Sequence, residues 1–247
     1  MRILLLAGVA ALALSACASN RSSMSQPDFS GQSMSASQAS LAELASRYKK
    51  RPQDKVVIIY YAAALRAAGQ PDQAASVIEA GLTIHRNDLD LRIAYAKALT
   101  AAGRFPQALN VANDAIDPAS PDWNALMVKG AILDQNGRNE EARALYTQAL
   151  LIAPGEASLQ ANLGLSFAMT NELDKAEMHL RKAVTMRGAN SQIRQNLALV
   201  VGLQGRFEEC RALFARELPP EQVEANMEYI RALLTQQNRW DLIKGAE

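Results

Sequence analysis

Small and apolar positions in this chain recur at a fixed step. Five short segments line up: Gly69-Gln70-Pro71-Asp72-Gln73-Ala74, Gly103-Arg104-Phe105-Pro106-Gln107-Ala108, Gly137-Arg138-Asn139-Glu140-Glu141-Ala142, Asn171-Glu172-Leu173-Asp174-Lys175-Ala176 and Gly205-Arg206-Phe207-Glu208-Glu209-Cys210. Their first residues stand at 69, 103, 137, 171 and 205, so every interval is 34. The small residue five places on keeps the step at Ala74, Ala108, Ala142, Ala176 and Cys210. Gly81, Ala115, Ala149 and Ala183 keep it once more, and Glu217 breaks it. Large–small pairs upstream share the phase: Tyr61-Ala62, Tyr95-Ala96, Lys129-Gly130, Leu163-Gly164 and Leu197-Ala198. Fixed-period similarity of this kind is the mark of a repeat architecture, in which each unit buries its apolar face on its neighbours.

The local chemistry fits helical hairpins. Glycine at the first aligned position can take the positive φ that ends one helix, and asparagine at 171 tolerates the same region. Pro71 and Pro106 fall near the start of the next helix, where a missing N–H costs little. Ala and Leu dominate the chain and β-branched runs are short, which favours helix throughout. The strict step resembles the tetratricopeptide repeat over residues 55–218. That resemblance implies an all-α fold, a right-handed superhelical solenoid of five hairpins at 55–88, 89–122, 123–156, 157–190 and 191–218. The ends read as caps. Residues 39–54 hold an amphipathic N-terminal helix. Residues 219–247 hold a C-terminal capping helix and tail, with Val223, Met227, Ile230 and Leu233 at helical spacing after Pro219-Pro220.

Stacked hairpins leave a concave face lined by the first helix of each unit. In this register the inward set is Ile59, Tyr60, Ile93, Lys97, Met127, Asp134, Asn162, Leu165, Met169, Gln195 and Asn196, with Ala63, Ala161 and Leu199 between them. A mostly apolar groove with a few amides suits a helix or an extended peptide. On the competing reading half of these side chains only pack between neighbouring helices. By resemblance, Asn162 and Asn196 sit where some tetratricopeptide domains use asparagine to hold a peptide backbone. The lysines that accompany carboxylate capture are missing.

The N-terminus reads as an export signal. Met1-Arg2 is a short positive start, and Ile3 to Leu14 is apolar but too short to span a bilayer. Leu14-Ser15-Ala16-Cys17 resembles a bacterial lipobox. The resemblance implies cleavage after residue 16 and lipidation, with palmitate among the acyl chains, on Cys17. Residues 17–38 are rich in serine and poor in large apolar groups, so they read as a disordered tether, reaching on the order of 25 Å. Neither Ala18 nor Ser19 is the aspartate that retains lipoproteins at the inner membrane, so the implied location is the periplasmic face of the outer membrane.

Charge and composition narrow the function. A net charge of +1 lacks the basic surplus that a nucleic-acid groove needs. Two cysteines and two histidines, far apart, make neither a disulfide framework nor a zinc site. No metalloprotease, nucleophile-elbow or phosphate-loop pattern occurs. The acidic pairs Glu140-Glu141 and Glu208-Glu209 open helices, where the helix dipole favours them. His179 is expected on an outer face, and Cys210 in a small-residue packing position. The expectation is therefore a protein that is not an enzyme, with no cofactor, no small-molecule substrate and no catalytic or metal residue.

One stretch is more specific. Arg194 to Phe207, followed by Leu218-Pro219-Pro220-Glu221 and Ala225 to Arg231, resembles the TadD family, the tetratricopeptide lipoproteins of tight-adherence (Flp) pilus assembly. The resemblance implies a pilotin-like adaptor whose partners are the pilus secretin or other Tad assembly components. The alternative is a periplasmic scaffold for cell-envelope enzymes or outer-membrane assembly.

Overall fold

A computed structural model of the chain describes residues 34–244, and these residues form twelve α-helices and no strand. The expected leader, Cys17 and most of the serine-rich stretch lie outside the described residues. Helix α1 is Met34–Lys50. Five hairpins follow. They pair α2 (Lys55–Ala67) with α3 (Pro71–Ile84), α4 (Leu89–Ala101) with α5 (Phe105–Asp114), and α6 (Trp123–Gln135) with α7 (Asn139–Ile152). The last two pair α8 (Ala157–Met169) with α9 (Leu173–Thr185), and α10 (Ser191–Leu203) with α11 (Phe207–Phe214). Helix α12, Pro220–Lys244, closes the array.

The first helices begin at 55, 89, 123, 157 and 191, again a step of 34. The residue before each one explains the start. Asp54 accepts from the Val56 and Val57 amides, Asp88 from Leu91, Asp122 from Asn124 and Ala125, and Asn190 from Ile193. These short polar side chains satisfy amides that the first helical turn leaves open. Glu156 holds the same phase without a side-chain cap bond.

The ends of these helices are equally regular. Gly69, Gly103, Gly137, Asn171 and Gly205 all have positive φ, from 62° to 80°. Asn171 is the one non-glycine residue among the described residues to do so. The amide after each turn residue reaches back to a carbonyl in the last helical turn, as in Gln70 to Leu65 at 2.8 Å and Glu172 to Phe167 at 2.9 Å. This left-handed cap satisfies carbonyls the helix cannot and sends the chain into the second helix.

Packing follows from the small positions. Ala74, Ala108, Ala142, Ala176 and Cys210 are completely buried where the two helices of each hairpin meet. A Cβ on Gly164 would lie 2.9 Å from the Ala176 carbonyl oxygen, so α8 and α9 approach to backbone contact there. The first helices pack on one another in sequence, α2 on α4, α4 on α6, α6 on α8 and α8 on α10. They form one layer, and α3, α5, α7, α9 and α11 form the other. Leu65, Leu91, Leu99, Ile132, Leu159 and Ile193 are buried between the layers. Each such side chain contributes about 1.5–3 kcal/mol on burial. The architecture is the helical-hairpin solenoid that the repeat implied.

Helix α1 extends beyond its sequence boundary. Helix α1 begins at Met34, inside the stretch read as tether, because no glycine or proline interrupts residues 34–50. Its Tyr48 ring stacks on Tyr61 at 5.2 Å between centroids, which seats it on the first hairpin. Helix α12 runs to Lys244, two residues after Leu242 and just before Gly245. Val223, Met227 and Ile230 bury its apolar stripe against the last hairpin.

Candidate functional site

The layer of first helices gathers the residues read as inward-facing. Ile59, Ile93, Met127 and Leu165 are buried, as are Lys97, Asn162 and Asn196. Tyr60, Met169 and Gln195 are half-buried. The face is therefore tightly packed at its floor, and its accessible parts are few.

Asp134, near the end of α6, is drawn inside the array. Its Oδ1 accepts from Ser166 Oγ at 2.7 Å and Asn139 Nδ2 at 2.8 Å, and its Oδ2 accepts from the Tyr146 hydroxyl at 2.9 Å. Ser166 lies on α8, so this carboxylate ties the third hairpin to the fourth. Burial pushes the Asp134 carboxyl above the usual carboxylate range, and the three donors only partly offset that. The Asn139 amide also touches Met169 Sδ at 3.9 Å, which brings two of the inward candidates to one junction.

Three buried polar atoms have no hydrogen-bond partner among the described residues. Asn124 Oδ1, Ser158 Oγ and Asn196 Nδ2 are buried and make no hydrogen bond. They lie on α6, α8 and α10, three consecutive first helices. Asn124 and Ser158 were not among the residues picked from sequence. Their signal was available, since 124, 158 and 192 are 34 apart and all three positions carry polar residues on apolar helices. A buried polar group without a partner is costly, and a water or a bound group satisfies it.

Near the C-terminal end the face opens into a small cleft, open to solvent on one side. Gln192, Gln195, Asn196 and Leu199 of α10 form one wall. Asn226, Tyr229 and Ile230 of α12 form the other, with Phe214 of α11 at the base. The sequence reading found Gln195, Asn196 and Leu199 but not the α12 wall.

Other noted residues are absorbed into structure. His179 does not face outward: its ring stacks on Phe167 at 5.4 Å, and Nδ1 lies 2.8 Å from Gln160 Oε1. Arg143 and Lys175 also sit over the Phe167 ring, at 4.7 and 5.2 Å from its centroid. The Cys210 thiol is buried against Met227 Sδ, and burial pushes its pKa up to about 11, so it stays protonated. Glu209 and Glu177 bridge Arg181 and Arg206 on the surface of α9 and α11. Glu140 stays exposed, and Glu141 pairs with Arg138 at 2.7 Å. Among the described residues no cluster of His, Cys, Asp or Glu is placed to hold a metal ion. None of their helices is long and apolar enough to cross a membrane.

Stacked hairpins with one continuous inner layer define a helical-repeat scaffold, a class that works by holding other polypeptides. The tetratricopeptide-repeat family matches the chain over residues 65–132, 129–192 and 194–216, and the chain is a tetratricopeptide-repeat protein. A comparison with curated proteins gives no match. Solved structures share the fold. TTC0263, a thermophilic tetratricopeptide-repeat protein of Thermus thermophilus, has a TM-score of 0.63 at 22% identity, over 71% of this chain and 97% of its own. A tetratricopeptide-repeat protein of Parabacteroides merdae has a TM-score of 0.54 at 15% identity, over 81% and 92%. PilW, described as a widely conserved type IV pilus biogenesis factor, has a TM-score of 0.58 at 14% identity, over 79% and 91%.

Proposed function

We propose that this protein is a lipid-anchored adaptor of the outer membrane that holds a polypeptide partner during Flp (Tad) pilus assembly, aiding the secretin to localise or assemble. The observation that carries the adaptor part is the cleft between α10 and α12, lined by amides and apolar side chains, with the unpartnered Asn196 amide in its wall. An isolated solenoid gains nothing from an orphaned amide at a cleft, whereas a polypeptide partner there would bring main-chain donors and acceptors beside it. The Leu14-Ser15-Ala16-Cys17 sequence supports cleavage after residue 16 and an anchor on Cys17. In this reading the residues between Cys17 and α1 are the tether. The pilus assignment rests on the likeness of residues 190–235 to TadD lipoproteins. PilW gives one case of this fold in pilus biogenesis, at an identity that speaks for the fold alone.

The reading is tested by deleting the gene in its own host and scoring secretin multimers in membrane fractions together with surface pili. Loss of multimers, restored by the full chain, supports the proposal. Normal multimers and normal pili would sink the pilus assignment and leave the adaptor to be tested on its own.

A further inference from the structure

The third and fourth hairpins meet around one apolar cluster, with Leu133, Ala142, Tyr146, Leu159 and Leu163 among its members. Asp134 follows Leu133 and is bonded to the Tyr146 hydroxyl, so its carboxyl lies at the edge of that cluster, only 6% exposed. Its three bonded donors, Ser166, Asn139 and Tyr146, are all neutral. Arg143 is the cation whose charge acts on it. That guanidinium is engaged elsewhere, donating to Thr170 Oγ1 at 3.0 Å and Glu172 Oε1 at 3.2 Å, with its face over the Phe167 ring. Arg138, in the turn, pairs with Glu141 of α7. The remaining charges on the packed helices are Lys129 on α6 itself, Asp90, Arg92 and Lys97 on α4, Asp114 on α5, and Glu140 on α7. Helix α8 carries none.

The hydrogen bonds of this seam have two arrangements. Ser166 Oγ lies 2.7 Å from Asp134 Oδ1 and 3.5 Å from the Asn139 carbonyl oxygen. With the carboxyl ionised, the Ser166 hydroxyl donates to it. A proton taken from solvent at Oδ1 reverses that bond. The new O–H donates to Ser166 Oγ, and Ser166 turns its own hydrogen to the Asn139 carbonyl. Tyr146 keeps its bond to Oδ2. The protonated seam is therefore neutral and leaves no donor idle. The ionised seam holds a full negative charge beside apolar side chains with no cation bonded to it, and such a charge is costly to keep from water. Water reaches it only if α8 parts from α6 and α7.

We propose that Asp134 makes the joint between the third and fourth hairpins a proton-controlled hinge, closed when the carboxyl carries a proton and opening to water when it is ionised. Three hairpins stand on one side of the joint and two on the other. Its state thus sets how Met127, on the third hairpin, is angled against Leu165 and Met169 on the fourth. Burial gives the same sense, since it holds the closed-state carboxyl above the usual carboxylate range. Opening therefore grows as pH rises from that range through the raised value.

Amide hydrogen exchange of the full chain, followed by mass spectrometry between pH 4 and pH 7 and corrected for the intrinsic rate at each pH, reads the joint. Local opening lowers protection in the elements that part and spares the others. Protection of α7 and α8 should fall about threefold or more, relative to the first two hairpins, as pH rises. Folded Asp134→Asn, whose side-chain amide donates to Ser166 as the protonated acid does, should show no such fall. The Asp134 carboxyl ¹³C resonance should titrate above the ordinary carboxylate range over the same interval. If Asp134→Asn does not fold, exchange and titration of the wild type decide together. Protection of α7 and α8 that tracks the first two hairpins at every pH would overturn the hinge. So would an equal fall in folded Asp134→Asn, or a titration within the ordinary range.

Discussion

The Tyr146 hydroxyl donates to Asp134 Oδ2 at 2.9 Å, in the buried seam where the third hairpin meets the fourth. With Ser166 and Asn139 on the other oxygen, the carboxylate is an acceptor for three donors, two from α7 and one from α8. Its burial nevertheless holds the folded pKa above the usual carboxylate value.

That shift has a definite sign. The folded state binds the Asp134 proton more tightly than the unfolded chain does, so this group favours folding at low pH and opposes it once ionised. Its contribution declines as pH rises from the ordinary carboxylate range through the raised folded pKa. Asp134→Asn removes the titration and keeps the size. Denaturation midpoints of wild type and Asp134→Asn, compared between pH 4 and pH 7, should show the wild type gaining relative to the variant on acidification. A constant difference would contradict this.

Glu217 titrates in the opposite sense. Arg194 grips both of its oxygens and holds its carboxyl below the usual range. Its contribution is therefore present above the ordinary carboxylate pKa and lost as pH falls through the lowered one. Because Arg194 is 41% exposed, solvent screens the pair, and Glu217→Gln should cost about 1 kcal/mol at neutral pH. The loss should vanish in strong acid. An equal loss at all pH values would show that packing, not charge, is at work.

Tight helix crossings give a third expectation. Ala142 is fully buried between α6 and α7, and a Cβ on Gly164 would meet the Ala176 carbonyl oxygen and Leu180 Cγ at 2.9 Å. Ala142→Leu and Gly164→Ala should each destabilise the array by about 1–3 kcal/mol, because the added carbons fit only if the backbone shifts. Thermal melts of the two variants check this, and unchanged curves would place the hairpin contacts elsewhere.

How much of this was legible depends on what a period can carry. The step from Gly69 to Gly205 gave the turns, and those turns have the positive φ their residues suggested. The interval also placed Ala74 through Cys210 at the crossings. Depth was not legible. Ile59, Met127 and Asp134 share a phase with accessible inner positions, yet neighbouring hairpins bury them. Asp134 in particular is taken up by Ser166, which is 32 residues away, a pairing no local pattern announces. The caps at Asp54, Asp88, Asp122 and Asn190 were readable from the same step and were passed over. The α12 wall of the cleft was hidden because Asn226 and Tyr229 come to the same cleft as Asn196 only through the way the last helix lies on α10.

The membrane anchor makes a separate prediction. Cys17→Ser should move the protein from the membrane to the soluble fraction without changing its melting curve, since the repeat array begins well after that residue. Fractionation of cells expressing the variant measures this, and unaltered membrane association would remove the lipid from the account.

The most direct measurement is photo-crosslinking in the living cell. One crosslinker replaces Gln195, half-buried on the inner layer, and another replaces Met178, 59% exposed on α9. The account expects a discrete polypeptide adduct from position 195 and none from 178. Adducts of equal strength from both positions, or none from 195, would contradict it.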